Sequence, residues 1–346
     1  VRITLLTMAA EQGASATAPS PSADDRREEH WRRIRTRFGW AYVLALVVVV
    51  VAIGVPTDRG SLLLIILAGL GITCLGRGPR AFGRVLLDWL PFTAVLVVYD
   101  VSRGIADAVG LPLHVSDVAA ADRWMFGGTV PTVWLQDHLF RPGQPQWYDA
   151  VATLVYTTHF LATPVLAAVL WLRNRAVWLA FVSRVIALAL AGLITYVLFP
   201  AAPPWYAARE GVIGPVVRGS SRGWLWLHVN KAGNLLREGQ VAANPVAAMP
   251  SLHTAYATII ALFVLAYVRS RLRWLIVLYP LAMGLSLVYL GEHYVVDLLA
   301  GVGYALAVHL LIGAWERRRN VQWRPPRAHT ARRGQELDAT RDTLSK

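Results

Sequence analysis

The chain has 346 residues, of which 55% are hydrophobic and only 16% charged. That balance excludes an ordinary water-soluble domain and calls for spanning helices. Lys and Arg exceed Asp and Glu by 34 to 21. The basic residues fall in short clusters between apolar runs rather than along one stripe, which argues against a nucleic-acid partner.

In chain order, residues 1–38 read as a disordered basic tail, rich in Ala, Ser and Pro over 11–25 and then in arginine from Arg26 to Arg37. About twenty apolar residues cross a bilayer core. Eight candidate spans follow, at roughly 39–56, 61–76, 83–101, 148–172, 177–199, 252–269, 272–290 and 293–315, with 61–76 the shortest. Backbone groups must pair internally in lipid, so these runs are helices. The expected fold is an all-α polytopic transmembrane bundle. The single Cys74 lies inside an apolar run, so a disulfide within the chain is excluded. Residues 316–346 form a second polar, basic tail.

Orientation follows from the loops. Arg77, Arg80 and Arg84, then Arg173 and Arg175, then Arg269, Arg271 and Arg273 all fall on the side of both tails. The positive-inside rule makes that side cytoplasmic. The alternate segments, including the long and mostly uncharged 102–147 and 200–251, then face outward. Arg184 and His309 near cytoplasmic ends are expected to snorkel. His114, Asp117 and Asp122 in the first outer segment are expected to be solvated.

Three groups stand out at outer helix ends. His253 follows Pro250 and Ser251 at the start of the sixth span, with the proline expected in the first helical turn. His293 opens the eighth span and Asp297 lies one turn on. Four residues return to nearly the same helix face, so the two side chains can hydrogen-bond. A carboxylate on one imidazole nitrogen fixes the tautomer and leaves the other as nucleophile or base. Both spans start outside, which places both histidines at one depth. Two other readings stand beside this one: histidines serving only as interfacial helix-end residues, and a catalytic zinc on two His and one Asp. His159, in mid-span, is a further functional candidate.

The stretches Ala248-Met249-Pro250-Ser251-Leu252-His253 and Gly291-Glu292-His293-Tyr294-Val295-Val296-Asp297 resemble the second and third motifs of the type 2 phosphatidic acid phosphatase (PAP2) superfamily. Pro200-Ala201-Ala202-Pro203-Pro204-Trp205-Tyr206 resembles its branch of fungal-type inositol phosphorylceramide synthases. The resemblance covers roughly 83–315 and implies a six-helix core with two added N-terminal helices. It implies metal-independent phosphoryl transfer without a cofactor, in which His293 attacks phosphorus, Asp297 orients it and His253 protonates the leaving oxygen. The implied partners are a phospholipid donor and a lipid or glycolipid acceptor, with the active site at the outer face of the cell membrane. A lipid or polyprenyl phosphate phosphatase and a non-catalytic transporter or scaffold are the rival readings.

The family's cationic phosphate contacts are displaced here. Its first motif has no clear counterpart, and Ser286 is followed by Leu287 where an arginine is usual. Arg103, with Asp100 at i−3, is the first candidate cation, followed by Lys231 and Arg237. Ser251 and Trp205 complete the candidate contacts.

Overall fold

The computed structural model describes residues 22–52, 59–106, 111–229, 233 and 246–319. Among these the chain is helical with no strand. Three helices open it: α1 (Ala23–Ala52), α2 (Arg59–Thr73) and α3 (Pro79–Ala106). Helix α1 starts well before the expected span, so residues 23–38 are helical rather than a disordered tail. Local signals account for this. The Asp25 amide donates to the Ser22 hydroxyl at 3.1 Å, while the Ser22 amide donates to the Asp25 carboxylate at 3.0 Å, a reciprocal cap. Arg33 and Glu29 add an ion pair at i,i+4.

Two short helices, α4 (Ser116–Met125) and α5 (Pro131–Leu139), lead to the long pair α6 (Trp147–Arg173) and α7 (Arg175–Leu198). The Asn174 side chain accepts the Ala176 and Val177 amides, so α7 starts as soon as α6 stops. Next come α8 (Pro204–Arg209), α9 (Gly223–Trp226) and α10 (Leu252–Tyr267). A 3-10 turn over Arg271–Val277 runs into α11 (Leu278–Tyr289), and α12 (Val295–Arg318) ends the bundle.

Helices α6, α7 and α12 and the stretch Arg271–Tyr289 are long and apolar enough to cross a membrane. They coincide with four of the expected spans, and the chain is a multi-pass helical bundle. Helix α10 is apolar but has only 16 residues. The 61–76 span lies mostly in α2, of 15 residues. The spans at 39–56 and 83–101 fall in α1 and α3, with residues 53–58 outside the described set.

Fully buried Trp89, Trp178, Phe181, Leu188 and Ile259 join α3, α7 and α10 into one core. Helices α10 and α12 pack closely, and Gly301 permits it: a Cβ there would lie 2.4 Å from the Ser251 carbonyl oxygen. Toward the far end of α12, Arg184 does not snorkel. It is buried and donates two bonds to Glu316, at 2.8 and 2.7 Å, because α12 supplies a counter-ion inside the bundle.

The described parts of the two long connecting segments form a cap over the other end. The Ala201 amide donates to Val246 and its carbonyl accepts from Ala248, while the neighbouring Pro200 and Ala202 pair with His114. The Trp205 amide donates to the Gly291 carbonyl, and Gly219 donates to Leu290. The Gln136 amide donates to the Val217 and Tyr289 carbonyls. These bonds tie the cap to the turn between α11 and α12.

Candidate active site

That turn carries Glu292 and His293, and α12 begins immediately after it. Tyr294 is the N-cap residue, and its amide donates to the Asp297 carboxylate at 2.9 Å. A second carboxylate acts from outside the helix. Both oxygens of Asp122 on α4 accept α12 amides, Val295 at 3.0 Å and Val296 at 2.9 Å. Asp122 is therefore buried rather than solvated, because the unpaired amides of a helix start attract an anion. Burial pushes its carboxyl up, the two amide bonds pull it down, and the nearby Asp297 charge adds to the rise. Asp117 is exposed, as expected, and pairs with His114 at 2.5 Å, while the His114 ring stacks on Phe199.

His293 Nδ1 faces Asp297 Oδ2 at 3.4 Å, the expected i+4 pair. Its Nε2 faces His253 Nδ1 at 3.3 Å. Because the carboxylate holds the proton on Nδ1, Nε2 presents a lone pair. The His253 Nδ1–H is then the donor between the rings. Both histidines lie at one level, as expected, but under the cap, with His293 buried.

His253 is held in an aromatic stack. The Tyr156 ring lies 5.1 Å from it at 25°, and the His159 ring 4.0 Å away at 37°. His159 is thus brought into the site through α6. Ser251 is wholly buried as the N-cap of α10, its hydroxyl accepting the Thr254 amide at 3.4 Å. Pro250 precedes that cap instead of occupying the first turn, and its carbonyl accepts the Tyr196 hydroxyl.

The cation beside these groups is Arg218, which the motif spacing does not reveal. Its guanidinium forms a fork with Glu292, Nε at 2.9 Å and Nη2 at 3.1 Å, and lies 4.8 Å from the Trp205 ring centre. It also interacts electrostatically with Tyr156. Burial works against its charge, but the Glu292 carboxylate outweighs burial and holds its pKa above the ordinary value. The side chain keeps 29% exposure. Trp205, expected as a contact, stands here with its Nε1–H buried and without an acceptor among the described residues.

Arg222 is committed elsewhere. It donates to Asp149 at 3.0 Å and to the Arg141 carbonyl, and packs over Phe140. Asp100 and Arg103 lie on α3, with side chains outside the described set, and Lys231 and Arg237 lie outside it altogether. Among the described residues no set of three His, Cys, Asp or Glu side chains converges as metal ligands.

A family model for the PAP2 superfamily matches residues 116–311, more than half of the chain. The chain belongs to the PAP2 superfamily. It is similar to the inositol phosphorylceramide synthase catalytic subunit AUR1 of Saccharomyces cerevisiae, 28% identical over 226 residues, which is 64% of this chain and 55% of that protein. It is also 28% identical over 153 residues to the phosphoinositol dihydroceramide synthase of Bacteroides thetaiotaomicron, covering 39% of this chain and 45% of that protein. To the catalytic subunit aur1 of Schizosaccharomyces pombe it is 34% identical over 121 residues, 34% of this chain and 28% of that protein. The chain spans about half or less of the length of these PAP2 relatives. No solved structure matches it.

Proposed function

We propose that this PAP2 protein is a membrane phosphotransferase that moves a phosphorylated headgroup from a phospholipid donor to the hydroxyl of a lipid or glycolipid acceptor. The observation that carries the reading is one histidine with Asp297 on Nδ1 and a second histidine on Nε2. In the first half-reaction His293 Nε2 attacks phosphorus. The N–P bond forms, the P–O bond to the lipid breaks, and His253 gives its proton to the departing oxygen, a role worth about 10²–10⁴-fold. In the second, an acceptor hydroxyl attacks phosphorus, His253 takes its proton and the N–P bond breaks. No step requires a metal ion or a cofactor.

Reaction in line needs a nucleophile about 3–3.5 Å from phosphorus and an acid about 2.6–3.2 Å from the leaving oxygen. The rings must therefore part from their 3.3 Å approach. Arg218 supplies charge for the phosphoryl oxygens. The relatives' names suggest an inositol phosphoryl group as cargo and a ceramide-like acceptor. The basic tails suggest that they face the cytoplasm, with the site toward the outer leaflet.

The test uses purified full-length protein in detergent with headgroup-labelled phosphatidylinositol, with and without ceramide. Label in a new lipid only when ceramide is present is the expected result. Release of free phosphate or headgroup phosphate regardless of acceptor makes the protein a hydrolase. His293→Ala is expected to abolish turnover and leave the unfolding midpoint unchanged; full activity in that variant eliminates the mechanism, and activity restored by zinc after chelation revives a metal site.

A further inference from the structure

Helices α1 and α2 lie outside the stretch matched by the PAP2 family model, and the catalytic reading gives them no task. Between them and the far half of α6 runs a groove of about 840 Å³. Its two ends differ in chemistry. Arg32, Arg35 and Arg77 line the end nearest the basic tail, with the hydroxyls of Thr36 and Thr73 beside them, while Leu46, Ile65 and Val165 line the other.

The order along the helices is fixed by contacts. Arg35 Nη1 donates to the Leu75 carbonyl at 3.0 Å, so the start of α1 lies beside the end of α2. The Tyr42 hydroxyl donates to the Ile65 carbonyl at 2.6 Å, which runs α1 and α2 antiparallel. From Arg32 to Leu46 the helix rises about 21 Å. One leaflet of a bilayer contributes about 15 Å of hydrocarbon. The groove thus reaches from headgroup level through the acyl region of a single leaflet. Trp40, 71% exposed, lies about 12 Å along α1 from Arg32, midway along the groove's open side.

We infer that this groove binds one anionic phospholipid of the leaflet on the tail side, its phosphate against Arg32 and Arg77 and an acyl chain against α1, α2 and α6. Charge selects the occupant. Arg35 is already paired with Glu28 at 2.5 Å, whereas Arg32 and Arg77 are both exposed at the rim, and the body of the groove is apolar. An anion with a long hydrocarbon chain complements both ends; a second apolar helix complements only one. The inference goes beyond the catalytic reading and stands without it.

Native mass spectrometry of the full-length chain in detergent, with phosphatidylglycerol or phosphatidylcholine added in turn, tests it. One retained phosphatidylglycerol per chain, preferred over phosphatidylcholine, is the expected result. The double charge reversal Arg32→Glu, Arg77→Glu is expected to reduce that preference at least about tenfold. Gly39 lines the groove and a Cβ on it meets nothing within 4 Å, so Gly39→Phe starts a bulky side chain in open space and is expected to abolish retention. The lipid-free unfolding midpoint should stay unchanged in both variants. Equal retention of the two lipids by the natural chain overturns the inference, as does a preference that survives both variants. A dimer that Gly39→Phe dissolves would place a second copy in the groove and also overturn it.

Discussion

Arg218 is the cation that the proposed mechanism assigns to the phosphoryl oxygens. Its charge reaches the site from the cap, across 74 residues of sequence from Glu292. Arg218→Ala is expected to lower kcat by about 10²–10³-fold, the range for removing one group that stabilises developing charge. Arg218→Lys should recover little of that loss, since an ammonium cannot reproduce the fork to Glu292. Steady-state kinetics at saturating donor read both variants, and unchanged kcat in Arg218→Ala would remove the residue from the mechanism. His293 and Asp297 were legible in the sequence as a pair four residues apart, although His293 stands in the turn before α12 and not on the helix. Arg218 was not, because loop contacts rather than spacing bring it to the site. The segment 200–251 also carries Arg209, Arg222, Lys231 and Arg237, so nothing in it singled out Arg218, and Glu292 beside His293 was the available signal.

Among the helices, the site depends on how closely α10 and α12 approach. One carries His253 and the other follows directly on His293, so their separation sets the gap between the rings. Gly301→Ala puts a methyl group 2.4 Å from a backbone oxygen that no rotamer change can move. A loss of stability of about 1–3 kcal/mol is expected, the range for overpacking. Activity should fall further than the shift in unfolding midpoint explains, because the helices part at the reacting groups. Equal activity per folded molecule would show that the gap does not depend on this contact. The length of the apolar runs made α6, α7, α11 and α12 legible as elements. It could not show Asp122 as a cap for α12, since that contact joins segments 173 residues apart. A carboxylate in a polar segment looks solvated until the helix start that it satisfies is known.

The molecule as a whole is tied at both ends. The cap knits the long connecting segments to the α11–α12 turn, and the Arg184–Glu316 pair locks α7 to α12 near the other end. Removing one partner from a buried pair leaves an uncompensated charge, so Arg184→Met alone should destabilise the fold by about 3–5 kcal/mol. The double change Arg184→Met, Glu316→Leu should restore most of that loss. Thermal unfolding in one detergent compares the set, and a double variant no better than the single one would refute a role as a mutual counter-ion pair. Arg184 was misread in the sequence because its partner lies 132 residues away.

The fork between Arg218 and Glu292 also has a kinetic meaning. The carboxylate next to His293 is a resident competitor for the guanidinium, and a phosphodiester bearing one negative charge gains little by displacing it. In the proposed attack the phosphoryl oxygens gather a second charge as the N–P bond forms. Only then does the incoming anion outbid Glu292, so the arginine's grip strengthens as the barrier is climbed and relaxes as the product forms. A tight hold on the transition state then comes without a tight hold on the donor lipid or the finished product.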